Sequence, residues 1–105
     1  MKLEQTILKT LIQNEDFLRK VLPFIKTEYF SDNTEKVIFN EITSFTETYN
    51  NPPSVEAIGI AVKERRNLTD DEVKKCETYL KEIESSPKAE TEIQWLVDKT
   101  EKFCQ

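Results

Sequence analysis

Apolar side chains recur three and four residues apart along almost the whole chain, the spacing that lines one side of successive α-helices. Leu3, Ile7, Leu8, Leu11 and Ile12 mark a first helix, on an arc of about half its circumference. An arc that wide is buried against more than one neighbour. Glu4 falls inside it, in a first turn where the helix dipole favours an acid. Asn14 restarts the chain as an N-cap, with Glu15 and Asp16 in the first turn and Phe17, Leu18, Val21 and Leu22 on one face; Pro23 ends or kinks that helix. Valine- and threonine-rich alternation is missing and the chain holds a single glycine, Gly59, so an all-α fold is expected.

Asp32 followed by Glu35 has the form of a capping box, and Val37, Ile38, Ile42, Phe45 and Tyr49 then give a third helix its buried face. Asn50-Asn51-Pro52-Pro53 stops it. Ser54 caps a fourth helix through Val55, Ile58, Ala61 and Val62, whose end carries Lys63, Arg65 and Arg66. Cations at a helix C-terminus oppose its partial negative charge, so these residues read as a helix end before they read as a nucleic-acid patch. Phe17, Phe24, Tyr29, Phe30, Phe39, Phe45 and Tyr49 all belong to this head, at spacings that make them core before anything else. A base-stacking platform would interleave its rings with basic residues, and these are not so interleaved.

The last third is the most specific. Thr69 and Glu72 form a capping box inside a hydrophobic staple of Leu68 and Val73, which fixes a helix start at Thr69. Val73, Cys76, Leu80 and Ile83 follow at three-four-three spacing. Ser85-Ser86-Pro87 breaks the chain, with Ser86 as N-cap and Pro87 in the first helical position; Ala89, Ile93, Leu96, Thr100 and Phe103 then line a last helix. Both stripes are narrow seams of the coiled-coil kind. The expected architecture is a small helical head, residues 1–67, followed by an antiparallel helical hairpin, residues 68–105, of the same domain.

Short helices with narrow seams are marginal alone in water, so the hairpin needs either the head or another molecule. The hairpin carries 6 basic and 10 acidic residues and the head 9 and 10. So soluble an arm on a head with its own core is expected to protrude as an assembly element. Val73, Cys76, Leu80, Ile83, Ile93, Leu96, Thr100 and Phe103 would then face a second copy; a hairpin packed wholly onto its own head is the alternative. Trp95 lies off the seam, roughly 200° round from Ile93 on the side of Lys99 and Lys102. It is a candidate partner contact, set against a ring covered by lysine stems.

Composition removes several kinds of chemistry. One glycine leaves no phosphate-cradling loop, and with no histidine the usual neutral-pH acid–base group and the commonest metal ligand are gone. Cys76 and Cys104 cannot alone make a four-ligand zinc site, and both read as reduced core thiols of a cytoplasmic protein. The adjacent pairs Glu15-Asp16 and Asp70-Asp71 sit in first turns and do not converge on one site. No catalytic, cofactor or metal residue is expected. Net charge of −5 opposes tight binding to a phosphate backbone or an anionic membrane, and no apolar run is long enough to span a bilayer.

Several of these residues also carry a family likeness. Leu3-Glu4-Gln5, Ile7-Leu8 and Leu11-Ile12-Gln13-Asn14 resemble the opening E-x-x-V-L-x-x-L-I-x-[DN] of the N-terminal domain of DnaB-type replicative hexameric helicases. Tyr29-Phe30 and Ile38-Phe39 are similar to that family's D-F and I-F positions, and Pro52-Pro53-Ser54 resembles its turn before a helix. Trp95-Leu96-Val97 with Thr100-Glu101-Lys102 resembles the end of the domain in the helicases of T-even-type bacteriophages. Glu35, Tyr29 and Ser54 depart from polar positions of the family pattern.

The resemblance implies a non-catalytic collar that pairs through its hairpins into a ring and recruits primase during phage DNA replication. It also implies that ATP and magnesium belong only to a motor domain beyond Gln105, so that these residues are the N-terminal part of an ATP-dependent DNA helicase. Two other readings share the helical pattern: the helicase-binding domain of a primase, and a free-standing helical adaptor between proteins.

Overall fold

A computed structural model describes residues 3–23, 25–85 and 93–103, the last residue by its backbone. The order is α1 (Leu3–Gln13), α2 (Glu15–Val21), a 3₁₀ turn (Thr27–Tyr29), α3 (Asn33–Tyr49), α4 (Val55–Glu64), α5 (Asp70–Ser85) and α6 (Ile93–Phe103). There is no strand among the described residues, and the fold is all-α. Phe24, Ala89, the Ser86-Pro87 cap, the Phe103 side chain and Cys104 lie outside what is described.

The helix starts follow the caps written in the sequence. Asn14 accepts a hydrogen bond from the Phe17 N–H at 3.0 Å, and Ser54 Oγ accepts one from the Ala57 N–H at 3.0 Å. At α5 the box closes from both sides: the Glu72 N–H donates to Thr69 Oγ1 at 3.2 Å and the Thr69 N–H to Glu72 Oε1 at 3.4 Å. Each such cap stabilises its helix by about 1 kcal/mol, since it satisfies backbone donors that have no partner within the helix. α3 ends where Asn50 turns left-handed, at φ 57°. Asparagine is the residue besides glycine that accepts this geometry readily, and Pro52 and Pro53 then prevent the helix from resuming.

α3 is the central element. Val37, Ile38, Phe39 and Ile42 on it are buried against Ile7, Leu8 and Leu11 of α1, Phe17, Leu18 and Val21 of α2, and Ile58 and Val62 of α4. Phe30 tilts against Phe39, ring centroids 5.1 Å apart, and caps one end of this core. The wide apolar arc of α1 is spent on both α2 and α3, as its width requires.

α5 and α6 are not a protruding arm. α5 lies along α3 and α4, α6 lies along α2, and Cys76, Leu80, Leu96 and Val97 belong to the same cluster as the head residues. The physical reason is the narrowness of the two seams: a lone pair of such helices buries too little to hold together, whereas the α3–α4 and α2 surfaces offer ready apolar partners. Two aromatic expectations also need correcting. Phe45 is half-buried and Tyr49 is 62% exposed, although both continue the buried stripe of α3. They occupy the last turns of a long helix and tilt against each other, ring centroids 4.7 Å apart.

Candidate functional site

The residues expected to form an assembly surface are divided by the fold. Cys76, Leu80, Ile83, Leu96 and Thr100 are no more than 3% exposed, so the chain's own helices already cover them. Val73 and Ile93 are half-buried and pack against the core from its edge. The seam therefore fixes how α5 and α6 lie; it is not a free face. Thr100 is satisfied locally, its hydroxyl donating to the Leu96 carbonyl at 2.7 Å. Burial pushes the Cys76 thiol above its ordinary range, which keeps it protonated and unreactive at neutral pH.

What α5 and α6 leave to solvent is charged, with one large ring. Trp95 is 49% exposed, and Lys99 stands over it with its Nζ 5.6 Å from the ring centroid. A cation placed there is held by the ring's quadrupole and shields part of its face. Beside it Gln94 donates to Asp98 at 3.1 Å. The sequence places Trp95 away from the seam, and the structure agrees: Leu96 is buried and Trp95 is not.

One buried polar link was not legible in the pattern. Glu35, expected to serve the α3 cap, is 4% exposed and accepts a hydrogen bond from the Tyr79 hydroxyl at 2.8 Å. Burial and the neighbouring Glu35 carboxylate both push the Tyr79 phenol well above its ordinary range. Asn33 donates to Glu72 at 3.0 Å nearby, so the N-terminal turn of α3 is tied to α5 at two points. The available signal was that Tyr79 follows Cys76 by three residues, which widens the α5 stripe.

The basic end of α4 is engaged within the chain. Arg65 pairs with Glu41 at 3.2 Å and Lys63 with Glu77 at 3.6 Å. Glu15 of the first acidic pair is held by Arg19 at 3.0 Å. Among the described residues no three His, Cys, Asp or Glu side chains stand close enough to share a metal ion, and no helix is long and apolar enough to cross a membrane. An open cleft of about 490 Å³ between the start of α3 and α5 mixes Asp32, Glu72 and Glu82 with Lys74 and Lys75, a solvated edge of both signs.

Residues 1–98 match the family model described as the DnaB-like helicase N terminal domain. The chain is also similar to a DnaB-like replicative helicase of Enterobacteria phage T4, with 32% identity over 101 residues. The alignment covers 96% of this chain and 20% of that protein, so the chain spans about a fifth of its relative's length.

Proposed function

Because this chain belongs to the DnaB-like helicase N-terminal domain family, we propose that it works as the non-catalytic collar of a replicative helicase, holding subunits together and receiving primase. The observation that supports this most is the family match over residues 1–98, on a fold whose conspicuous features are packing and surface. The head, residues 1–67, and the two hairpin helices, residues 68–105, act as one body. Association runs through the outer sides of α5 and α6, where Trp95 and Lys99 supply a desolvatable anchor amid charges. The buried seam of Cys76, Leu80, Ile83, Leu96 and Thr100 sets the direction in which those outer sides point. ATP, magnesium and single-stranded DNA are handled by the motor domain of the helicase, in the cytoplasm of the host cell.

Trp95 is the chain's one tryptophan, so its emission reports directly on this surface. Sedimentation equilibrium of the chain, together with fluorescence titration by the primase of the same replisome, tests the reading. The collar predicts a mass above 12.4 kDa at micromolar concentrations and a saturable change in Trp95 emission on adding primase. A monomer that leaves Trp95 unaltered under both conditions, or tight salt-sensitive binding of single-stranded DNA, would contradict it.

A further inference from the structure

α4 is more apolar than its fold requires. Its middle, Ala57-Ile58-Gly59-Ile60-Ala61-Val62, is apolar without interruption, a pattern ordinarily found in helices buried on every side. Only Ile58 and Val62 of these are buried here, and Ile60, on the side away from them, is 53% exposed. It stands at the edge of an open cleft of about 390 Å³ between α4 and α5. Gly59 and Leu80 line the same cleft, and a methyl group on Gly59 would meet only Leu80 Cδ1, at 4.0 Å. One surface therefore offers a projecting apolar side chain and, next to it, a gap where another backbone can approach closely. A knob and a hole side by side fit a second copy turned through half a circle, because each copy's knob then enters the other's hole.

Charge selects the same occupant. Glu56, Gly59, Ile60 and Lys63 form one stripe of α4 at helical spacing, and all four line the cleft. Two such stripes laid parallel would set Glu56 against Glu56 and Lys63 against Lys63. Laid antiparallel about a two-fold axis midway between Gly59 and Ile60, they set Glu56 against Lys63 twice and Ile60 over the other copy's Gly59. Glu64, one residue further on, then falls opposite Val55 and meets no like charge. Glu56 takes part in no ion pair among the described residues. Lys63 reaches Glu77 of its own chain at 3.6 Å, an exposed pair of the kind that contributes little, and its ammonium keeps further donors. On the α5 side Lys81 and Glu84 again supply both signs.

We infer that the α4–α5 cleft receives a second copy of this chain, the two α4 helices crossing antiparallel with Ile60 of each over Gly59 of the other and Glu56 opposite Lys63. This contact is separate from the Trp95 and Lys99 surface, and the inference does not rest on the collar reading. It involves only α4 and the edge of α5, less than a standard interface, so a dissociation constant of roughly 0.1 mM is expected. Sedimentation equilibrium and heteronuclear NMR of the full chain, from about 0.02 to about 1 mM, bracket that value. The chain should dimerise with shifts centred on Glu56, Gly59, Ile60 and Lys63, and Trp95→Asp, which blocks the other surface, should dimerise equally. Ile60→Lys should weaken association at least about tenfold. Glu56→Lys and Lys63→Glu, both at exposed positions, should each weaken it by about tenfold, and an equimolar mixture of the two should recover the original affinity, since opposite charges then meet at both pairs. A Trp95→Asp chain that stays monomeric would overturn the inference and leave the collar reading standing. No effect of Ile60→Lys, or no recovery on mixing the charge variants, would also overturn it. So would shifts of these residues that come only on adding primase, which would assign the face to that partner.

Discussion

Replacing Leu80 by aspartate asks whether α5 and α6 are part of the core or an addition to it. Leu80 is 3% exposed, and its Cδ1 lies 4.0 Å from where a Cβ on Gly59 would stand, so it fills the space between α5 and α4. Losing its apolar burial costs about 2–5 kcal/mol by analogy with core truncations. The cleft beside Leu80 holds Lys63 and Lys81 but also Glu77 and Glu84, with Lys63 already paired to Glu77, so a buried carboxylate there gains no net cation and adds several kcal/mol more. Glu77 and Glu84 lie one turn away on either side and raise that cost further. The sum exceeds roughly 5 kcal/mol, the lower part of the range for the entire stability of a domain this size. Leu80→Asp should therefore unfold the whole chain, α1 to α4 included. Circular dichroism during urea denaturation reads the outcome, with Trp95→Asp at an exposed position as the control that stays within about 0.5 kcal/mol. A Leu80→Asp protein that keeps its helicity and the unaltered midpoint would refute the packing of α5 described above.

Tyr79→Phe removes the hydrogen bond to the buried Glu35 carboxylate and should cost about 1.5–3 kcal/mol, with a melting temperature lower by roughly 10 °C in thermal denaturation. The Tyr79 phenol and the Cys76 thiol both titrate above their ordinary values of 10.0 and 9.0 in the folded chain. Their contribution is therefore intact below about pH 9 and is lost as pH rises, because the unfolded state ionises first; alkaline denaturation should be blunted in Tyr79→Phe and Cys76→Ala relative to their own neutral-pH stabilities. Gly59→Ala should stabilise by about 0.5–1 kcal/mol, since glycine is costly in mid-helix and the added methyl meets only Leu80 Cδ1 at 4.0 Å; a chemical-denaturation midpoint that falls would contradict the open space seen there.

The helices were legible because their signals are local. Asn14, Ser54 and the Thr69–Glu72 box lie within three residues of the backbone groups they satisfy, and the structure places each as the sequence predicts. The destination of the seams was not legible, because a stripe such as Cys76, Leu80 and Ile83 records that a face is covered and not by what. Charge in the last third pointed outward, towards assembly, but charged residues such as Asp71, Lys75 and Glu82 lie off the seam and do not say what the seam meets. Tyr49 failed for a related reason: periodicity continues to the end of α3, while the neighbours that would bury it do not. Glu35 shows the limit of a motif, since a residue at capping-box spacing also serves a phenol forty-four positions away. Trp95 was placed correctly on the outward side by helical geometry alone, and whether it meets a partner is a property of the assembly.

Native-state hydrogen exchange across all the helices tests most directly whether α5 and α6 form a single body with α1 to α4. Amides of Cys76, Leu80, Leu96 and Val97 share one apolar cluster with Ile38, Ile42 and Phe17, and their exchange should require the same global opening. The account predicts that the best-protected amides of α5 and α6 report an opening free energy equal to that of α3, with the same dependence on denaturant. Exchange of α5 and α6 through a separate opening of lower energy, with α1 to α4 still protected, would contradict it and restore the hairpin as an independent arm.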